Sequence, residues 1–319
     1  MKVLFSADYH IKLKTKNIPD EWARNRFYSL FEKLSELEKH CELHIVGGDW
    51  FDKMPTLEEL ELFYGFVTSR TIETIIISGN HEALKKNTTF LTYLKTITTR
   101  LNPLVRIIDD FYTYKGIDFI PYNKLKEFEK GVKYTFEGKV LATHVRGEIP
   151  PHVKPEVDLE LFNQWQTVLA GDLHSNDNCQ RNILYPGSPI TTSFHRSFVD
   201  TGVILLDTTT LDSEFVKLEV PQLIRKTIKA GESMVADDYH HVIYEVEGDM
   251  AELAAVSDNS LLDKKVVKRS IDTALILSPE MTVEQEVIEY LSFILELPQE
   301  TIDACLKELH DNSKNLTLA

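Results

Sequence analysis

One stretch, Thr74-Ile75-Ile76-Ile77-Ser78-Gly79-Asn80-His81-Glu82, constrains the fold of this chain more than any other. Its four β-prone residues in a row read as a strand buried on both faces, the pattern of a parallel sheet. Gly79 releases the chain from the pleat without a Cβ clash, so an amide, an imidazole and a carboxylate arrive together at the strand's carboxyl end. In open α/β sheets that edge is where ligands and chemistry gather.

The same grammar recurs along the chain. Residues 2–7 form an apolar run that delivers Asp8-Tyr9-His10, and Phe27, Leu30, Phe31, Leu34 and Leu37 then keep helical spacing over 22–37. A strand over 43–46 ends in Gly47-Gly48-Asp49-Trp50-Phe51-Asp52. Thr56 and Glu59 stand at capping-box spacing before a helix whose inner face is Leu60, Phe63 and Val67. After the opening strand, Phe90, Leu91, Leu94, Ile97 and Leu101 predict a third helix. The β-α-β-α-β-α order predicts parallel strands with right-handed crossovers. Further strands are expected at 107–108 and 117–121, with a charged helix or surface excursion over 123–133. The strand at 140–143 ends on His144, and that at 167–170 ends in Gly171-Asp172-Leu173-His174. The segments 203–206 and 214–218 look like a closing antiparallel pair.

Pro221 is the best domain boundary. It separates a body (1–220) from a small mixed α+β segment (221–278) with strands expected at 241–246 and 273–277. A last unit (279–319) carries two amphipathic helices, one striped by Val283, Val287, Leu291 and Ile294, the other by Ile302, Cys305, Leu306 and Leu309, with Pro298 between them. Those two helices are too small to bury both stripes alone.

Composition narrows the function. With 319 residues the chain suits one large domain and a smaller one. No apolar run of about 18 residues is present, which argues against a membrane span. Met1-Lys2 leads straight into the first strand, which reads as no signal peptide. Cys41, Cys179 and Cys305 share no metal-type spacing, so reduced, cytosolic thiols are expected. A net charge of −15 argues against free-standing electrostatic binding of nucleic acid; a polyanionic substrate would need bound cations or a partner.

Five predicted strand ends therefore carry polar clusters: Asp8/His10, Asp49/Asp52, Asn80/His81, His144 and Asp172/His174. Parallel strands would turn them toward one rim. Asp, Asn and His without Cys form an oxygen and nitrogen ligand set suited to Mn²⁺, Fe or Zn²⁺. A two-metal centre of that kind activates water and neutralises both oxygens of an in-line displacement. Singly, each residue has an ordinary explanation: Asp8 as a helix cap, Asp49 as a turn residue, His144 as a satisfied interior histidine. Jointly, in this order and always after a strand, they do not.

These motifs, Asp8-x-His10, Gly48-Asp49-x-x-Asp52, Gly79-Asn80-His81-Glu82, a strand-ending His144 and Gly171-x-x-His174, resemble those of calcineurin-like metallophosphoesterases. Phe119-Ile120-Pro121-Tyr122, Tyr185-Pro186-Gly187-Ser188-Pro189-Ile190 and Ser193-Phe194 resemble the Mre11/SbcD nuclease branch, in its compact phage recombination-exonuclease form. The resemblance implies a metallophosphoesterase β-sandwich flanked by helices, with a capping domain and a helical tail. It also implies a di-manganese site, with Mg²⁺ or another divalent ion as the alternative. Asp8, His10, Asp49 and His174 would hold one ion; Asn80, His144, Asp172 and a bridging Asp49 would hold the other. Asp172 departs from the histidine usual there, which points to altered metal preference rather than a dead site. His81 would serve the leaving oxygen off the metals. Asp52 is either catalytic or an outer carboxylate, and Glu82 a structural partner at a helix start.

The activity implied is 3′→5′ exonuclease action on duplex ends and endonuclease action on single strands, in DNA repair, recombination or replication. Lys264, Lys265, Lys268 and Arg269 lie in the segment resembling the DNA-contacting cap, and Arg196 could line the site beside His195. The tail resembles the piece that docks on a Rad50/SbcC-type ATPase. A homodimer through the first two helices and a cytosolic setting, bacterial or phage-infected, complete the expectation. Two alternatives stay open: a phosphoesterase of the same fold acting on phosphoproteins or small nucleotides, and a non-catalytic scaffold.

Overall fold

The computed structural model describes residues 1–85, 88–267, 281–295 and 297–316. A six-stranded sheet is built from β1 (Lys2–Ser6), β2 (Leu43–Val46), β3 (Glu73–Ile77), β6 (Val105–Ile108), β12 (Gly202–Asp207) and β13 (Ser213–Lys217), in the order β13-β12-β1-β2-β3-β6. The strands β1, β2, β3 and β6 are parallel, and β12 and β13 close the far edge antiparallel, as the sequence predicts. Between β3 and β6 the chain forms a small hairpin, β4 (Ala83–Lys85) with β5 (Thr88–Thr89), that sequence patterning did not announce.

A second sheet contains β7 (Tyr112–Tyr114), β8 (Ile117–Ile120), β9 (Val140–His144), β10 (Thr167–Gly171) and β11 (Ile183–Leu184), ordered β11-β10-β9-β8-β7. Here β8 through β11 are parallel and β7 is antiparallel. The strand-end clusters thus come from two stacked sheets, not one, and the fold is an α/β sandwich.

Alternation along each strand explains the stacking. Val3, Phe5, Ile45, Ile75 and Ile77 face Phe119, Val140, Ala142 and Leu169 of the second sheet, forming a dry layer between the two. Leu4, Val46 and Ile76, one residue out of phase, face helices α1 (Asp20–Glu38) and α2 (Leu57–Ser69), whose Phe27, Leu30, Phe31, Phe63 and Phe66 complete that core. The capping box at Thr56 and Glu59 is present. Helix α3 (Leu91–Leu101) departs from the predicted stripe: Leu91 and Thr98 are buried, while Ile97 and Leu101 are 43% and 45% exposed. Leu91, Leu94 and Thr98 form the contact face, and Ile97 and Leu101 lie at its margin. The 123–133 excursion contains the short helix α4 (Leu125–Glu129), whose Phe128 packs with Phe162 and Trp165 over the outer face of the second sheet.

Just past Pro221 a third, all-parallel sheet runs β14 (Leu223–Lys229), β15 (His241–Gly248) and β16 (Leu262–Val267), with α5 (Met250–Ala255) between the last two. The strand expected at 241–246 is β15; that expected at 273–277 lies outside the described residues. Two tail helices are present, α6 (Val283–Glu289), which continues through a π turn at Tyr290–Ile294, and α7 (Gln299–Leu316). Ile302 is 2% exposed, whereas Cys305 and Leu309 face outward. No helix among the described residues is long and apolar enough to cross a membrane.

Candidate metal centre

Five loops meet at the carboxyl ends of β1, β2, β3, β9 and β10, and the backbone there is bent hard to make them meet. Asp8, His10, Asp49 and Asp172 all adopt positive φ (59°, 44°, 53° and 106°), a region non-glycine residues enter at a cost of about 1–3 kcal/mol each. Packing and hydrogen bonds hold them there. The Asp8 N–H donates to Gly48 O (3.0 Å) and the His10 N–H to Asp49 O (2.9 Å). Across the two sheets the Asp172 N–H reaches both Asp8 carboxylate oxygens (3.1 and 3.2 Å), and His144 Nδ1 meets Gly47 O at 2.8 Å. Ser188, in the Tyr185–Ser188 turn, donates its hydroxyl to Asp8 O (2.7 Å).

Gly79 is required by crowding. A Cβ there would fall on the Asp49 carboxylate and come within 2.7 Å of the His144 ring. Glu82 ties the loops after β2 and β3 together. Its buried carboxylate accepts from the N–H groups of Gly79 (2.7 Å), Asp49 (3.0 Å) and Phe51 (3.1 Å). It is structural, as expected, but sits in a turn before the β4–β5 hairpin and not at a helix start.

Side-chain donors converge in three overlapping groups, each within 4.8 Å: Asp8, His10 and His174; His10, Asp49 and His81; and Asp8, Asp49 and His144. His10 Nε2 is 3.0 Å from His174 Nε2 and 3.5 Å from Asp49 Oδ2; His144 Nε2 is 3.5 Å from Asp49 Oδ2 and 2.8 Å from Asn80 Oδ1. The contact of His144 Nδ1 with Gly47 O turns Nε2 into the cluster. Asp172 is in none of the three groups, and both its oxygens are engaged by Arg146.

The electrostatics are those of a cation site. Burial pushes the Asp8 carboxyl well up, against the pull of His144, and Asp49 adds to the rise. Burial, then Asp49, raises Glu82 to about 7. His10 falls to about 2 through burial and the neighbouring imidazoles, so it presents a lone pair at any ordinary pH. Burial opposes protonation of His144, yet Asp49, Asp8 and Asp172 outweigh it and raise the imidazole to about 9. Buried carboxylates facing one another, with histidine lone pairs between them, fit divalent metal ions and suit little else.

The remaining predicted residues fall around this cluster. His81 is partly exposed; its N–H donates to Asp49 Oδ1 (3.0 Å), and its Nδ1 meets the Asp52 carbonyl oxygen at 2.6 Å, so Nε2 faces the donors. The Asp52 carboxylate points away, to Lys12 at 2.7 Å. Asp52 thus meets His81 through its carbonyl, while its carboxylate is paired with Lys12. Arg196 pairs with Glu245 (3.3 Å) and Thr227, Lys264 with Glu245 (3.4 Å), and Lys265 with Asp258 (3.3 Å), so these cations answer acidic groups of the third sheet and its connections. Lys268 and Arg269 lie outside the described residues.

Sequence reasoning leaves Arg146, with Arg24, Arg26 and Arg181, between phosphate contact and simple solvation, and passes over Phe198. An open cleft of about 490 Å³ begins at His174 and is lined by Ser188, Thr192, Ser193, His195 and Phe198, the last 64% exposed. An isolated phenylalanine in a polar segment gives no periodic signal, so only the fold reveals it.

The chain belongs to the calcineurin-like phosphoesterase family, which it matches over residues 1–188. With the donor set, this makes it a metal-dependent phosphodiesterase. It is 41% identical over 317 residues to the probable exonuclease subunit 1 of Escherichia phage T5, covering 96% of this chain and 97% of that protein. It is 24% identical over 223 residues to the putative phosphoesterase 244L of Invertebrate iridescent virus 6, covering 64% of this chain and 75% of that protein. Among solved structures, an archaeal phosphodiesterase aligns with 68% of this chain and all of its own at 16% identity, with a TM-score of 0.38.

Proposed function

We propose that this protein is a DNA nuclease that hydrolyses phosphodiesters with two divalent ions, Mn²⁺ foremost, in DNA repair or recombination in the cytosol. The observation that carries the reading is the open cleft leading away from His174: a polymer can lie along it with one phosphate at the donor cluster. Phe198 offers a face on which a base can stack. The near full-length similarity to a protein named as an exonuclease subunit supports the same reading.

Bound metal ions would activate water and neutralise the oxygens of the displacement. Asp8, His10, Asp49 and His174 would hold one ion, and Asp49, Asn80 and His144 the other, with Asp172 at its margin. The Asp52 carbonyl accepts the Nδ1 proton of His81 and aims Nε2 at the cluster; in the imidazolium form Nε2–H donates to the departing oxygen. Ser188 and Glu82 hold the ligand loops so that little reorganisation accompanies the reaction.

A chain of net charge −15 needs help to retain DNA. We assign that help to an ATPase partner of the Rad50/SbcC type, docked on the two tail helices, and to a homodimer formed through α1 and α2. Incubation with Mn²⁺ and linear DNA, beside a phosphopeptide and a cyclic nucleotide, tests the reading. Release of nucleotides from DNA is expected; hydrolysis of the small substrates alone would overturn it. Deleting residues 279–319 should abolish capture of the partner while sparing weak intrinsic hydrolysis.

A further inference from the structure

Among the buried carboxylates of the site, Asp172 has a different environment from Asp8 and Asp49. Those two belong to the donor groups, whereas Asp172 belongs to none. Both its oxygens face a planar cation: Arg146 Nε lies 3.1 Å from Oδ2 and Arg146 Nη2 3.2 Å from Oδ1. His144 Nε2, which turns toward Asp49 at 3.5 Å, is 4.0 Å from the nearer Asp172 oxygen. A carboxylate with both oxygens in a guanidinium fork has few lone pairs left for an ion, and the fork resists opening. Asp172 is also held in place from behind, by its N–H on the Asp8 carboxylate and by a backbone at φ +106°.

The cation is placed as deliberately as the anion. Among the described residues, Arg146 is the only lysine or arginine paired with Asp8, Asp49, Asp172 or Glu82. Its side chain is 42% exposed above an Asp172 side chain that is 5% exposed. Its backbone is anchored separately, the N–H donating to Glu156 Oε1 at 3.2 Å. Using the Nε and Nη2 edge on Asp172 leaves the Nη1 side free to meet an incoming oxyanion. A guanidinium so fixed pays little further entropy on gripping a phosphate.

We propose that Asp172 is not a metal ligand but the seat of Arg146, and that Arg146 grips a non-bridging oxygen of the scissile phosphate. Arg146 is then a catalytic residue and Asp172 its positioning residue. The second ion is held by Asp49, Asn80 and His144 alone, more weakly than the first. This rests on the two-metal part of the reading above, and not on DNA being the substrate.

The full chain and its Arg146→Gln, Arg146→Lys and Asp172→Asn variants would be compared in two measurements. The first is Mn²⁺ titration by calorimetry. The second is hydrolysis of bis(p-nitrophenyl) phosphate, with inorganic phosphate as competitor. Arg146→Gln is expected to bind the same number of ions as the natural protein. Its inhibition constant for phosphate should rise, and kcat/KM fall, by about 10- to 100-fold, as for the loss of one charged hydrogen-bonding partner. Arg146→Lys, which keeps the charge without the fork, should recover part of that loss, which a merely structural role would not predict. Asp172→Asn should keep both ions and show the same phosphate defect at smaller size. Loss of an ion in Asp172→Asn would make Asp172 a ligand and overturn the proposal, as would an unchanged phosphate constant in Arg146→Gln. If the natural protein takes up only one ion, the two-metal reading fails, and the phosphate measurement still judges Arg146.

Discussion

Among the described residues, two of the buried polar clusters are opposites. Under α1 and α2, Glu38 Oε1 meets Arg70 Nη1 and His44 Nδ1, each at 2.6 Å, and His44 Nε2 meets Ser6 Oγ (2.7 Å), itself 2.7 Å from the Tyr9 hydroxyl. Arg70 also lies over the Phe66 ring (4.1 Å to its centre) and reaches Ser35 Oγ (2.8 Å). Anion and cation are matched within the chain, and Glu38 and His44 sit in regular helix and strand backbone. Burial works against the Glu38 carboxylate, but His44 and Arg70 outweigh it and hold it below its ordinary range. The metal centre instead gathers Asp8, Asp49, Asp172 and Glu82 with an arginine on Asp172 alone, and four of its residues are in left-handed backbone. A cluster that closes its own charge account is architecture; one left short of cations and held under strain is built to take something in.

Exchanging the two kinds of damage tests the contrast most severely. Asp49→Ala removes a donor shared by two of the groups. It should lower phosphodiester hydrolysis by roughly 10³-fold or more while the metal-free protein melts no earlier, measured by initial rates and calorimetry. Arg70→Met should do the reverse: it strands a buried carboxylate and should cost about 3–5 kcal/mol in denaturant unfolding, with metal uptake of the folded fraction intact. An Asp49→Ala protein that unfolds, or an Arg70→Met protein that loses its metals, would erase the distinction.

On the proposed role at the departing oxygen, His81→Ala should reduce hydrolysis by roughly 10²- to 10⁴-fold with the number of bound ions unchanged; loss of an ion would place His81 among the ligands with His10 and Asp49. Phe198→Ala should raise KM for DNA by about 5- to 100-fold and leave bis(p-nitrophenyl) phosphate untouched, because one stacked base contributes about 1–3 kcal/mol. Retained affinity for DNA would remove Phe198 from the substrate path.

The smallest effect is a pH signature. Glu82, raised to about 7, binds its proton more tightly in the folded state than in the unfolded chain. In chelated protein its contribution is therefore complete below the ordinary glutamate range and lost as pH rises toward 7. Glu38, held low, works in the other sense and loses its contribution as pH falls. The margin by which natural chelated protein out-melts Glu82→Gln should thus shrink between about pH 4.5 and 7, against the opposite trend set by the low-lying His10, and Mn²⁺ should remove it.

What was legible in the sequence follows from the same physics. An apolar run such as Ile75-Ile76-Ile77 ending in a polar cluster is a local signal, and Asp8, His10, Asp49, Asn80, His81, His144 and His174 were all found by it. That these ends belong to two stacked sheets was implied by the family resemblance and not by the runs themselves, because buried parallel strands show the same runs wherever they sit. The strands β14 and β16 were missed for the opposite reason: Arg225, Lys226, Lys264 and Lys265 break any apolar pattern, and the segments pair through backbone and ion pairs. Arg146 could be named only as one of several arginines able to touch a phosphate, because its partner, Asp172, follows a different strand of the second sheet.

The division of the donors between two sheets has a consequence for how activity arises during synthesis. Asp8, His10, Asp49 and Asn80 belong to the first sheet's loops, but His144 and His174 come from strands made much later. A nascent chain that has not yet passed His174 holds incomplete groups: the first still lacks His174, and before His144 the third lacks its imidazole. The second group, His10, Asp49 and His81, is complete within the first sheet's loops, so a nascent chain already carries a partial donor set, and the full set stands only once the second sheet has formed against the first.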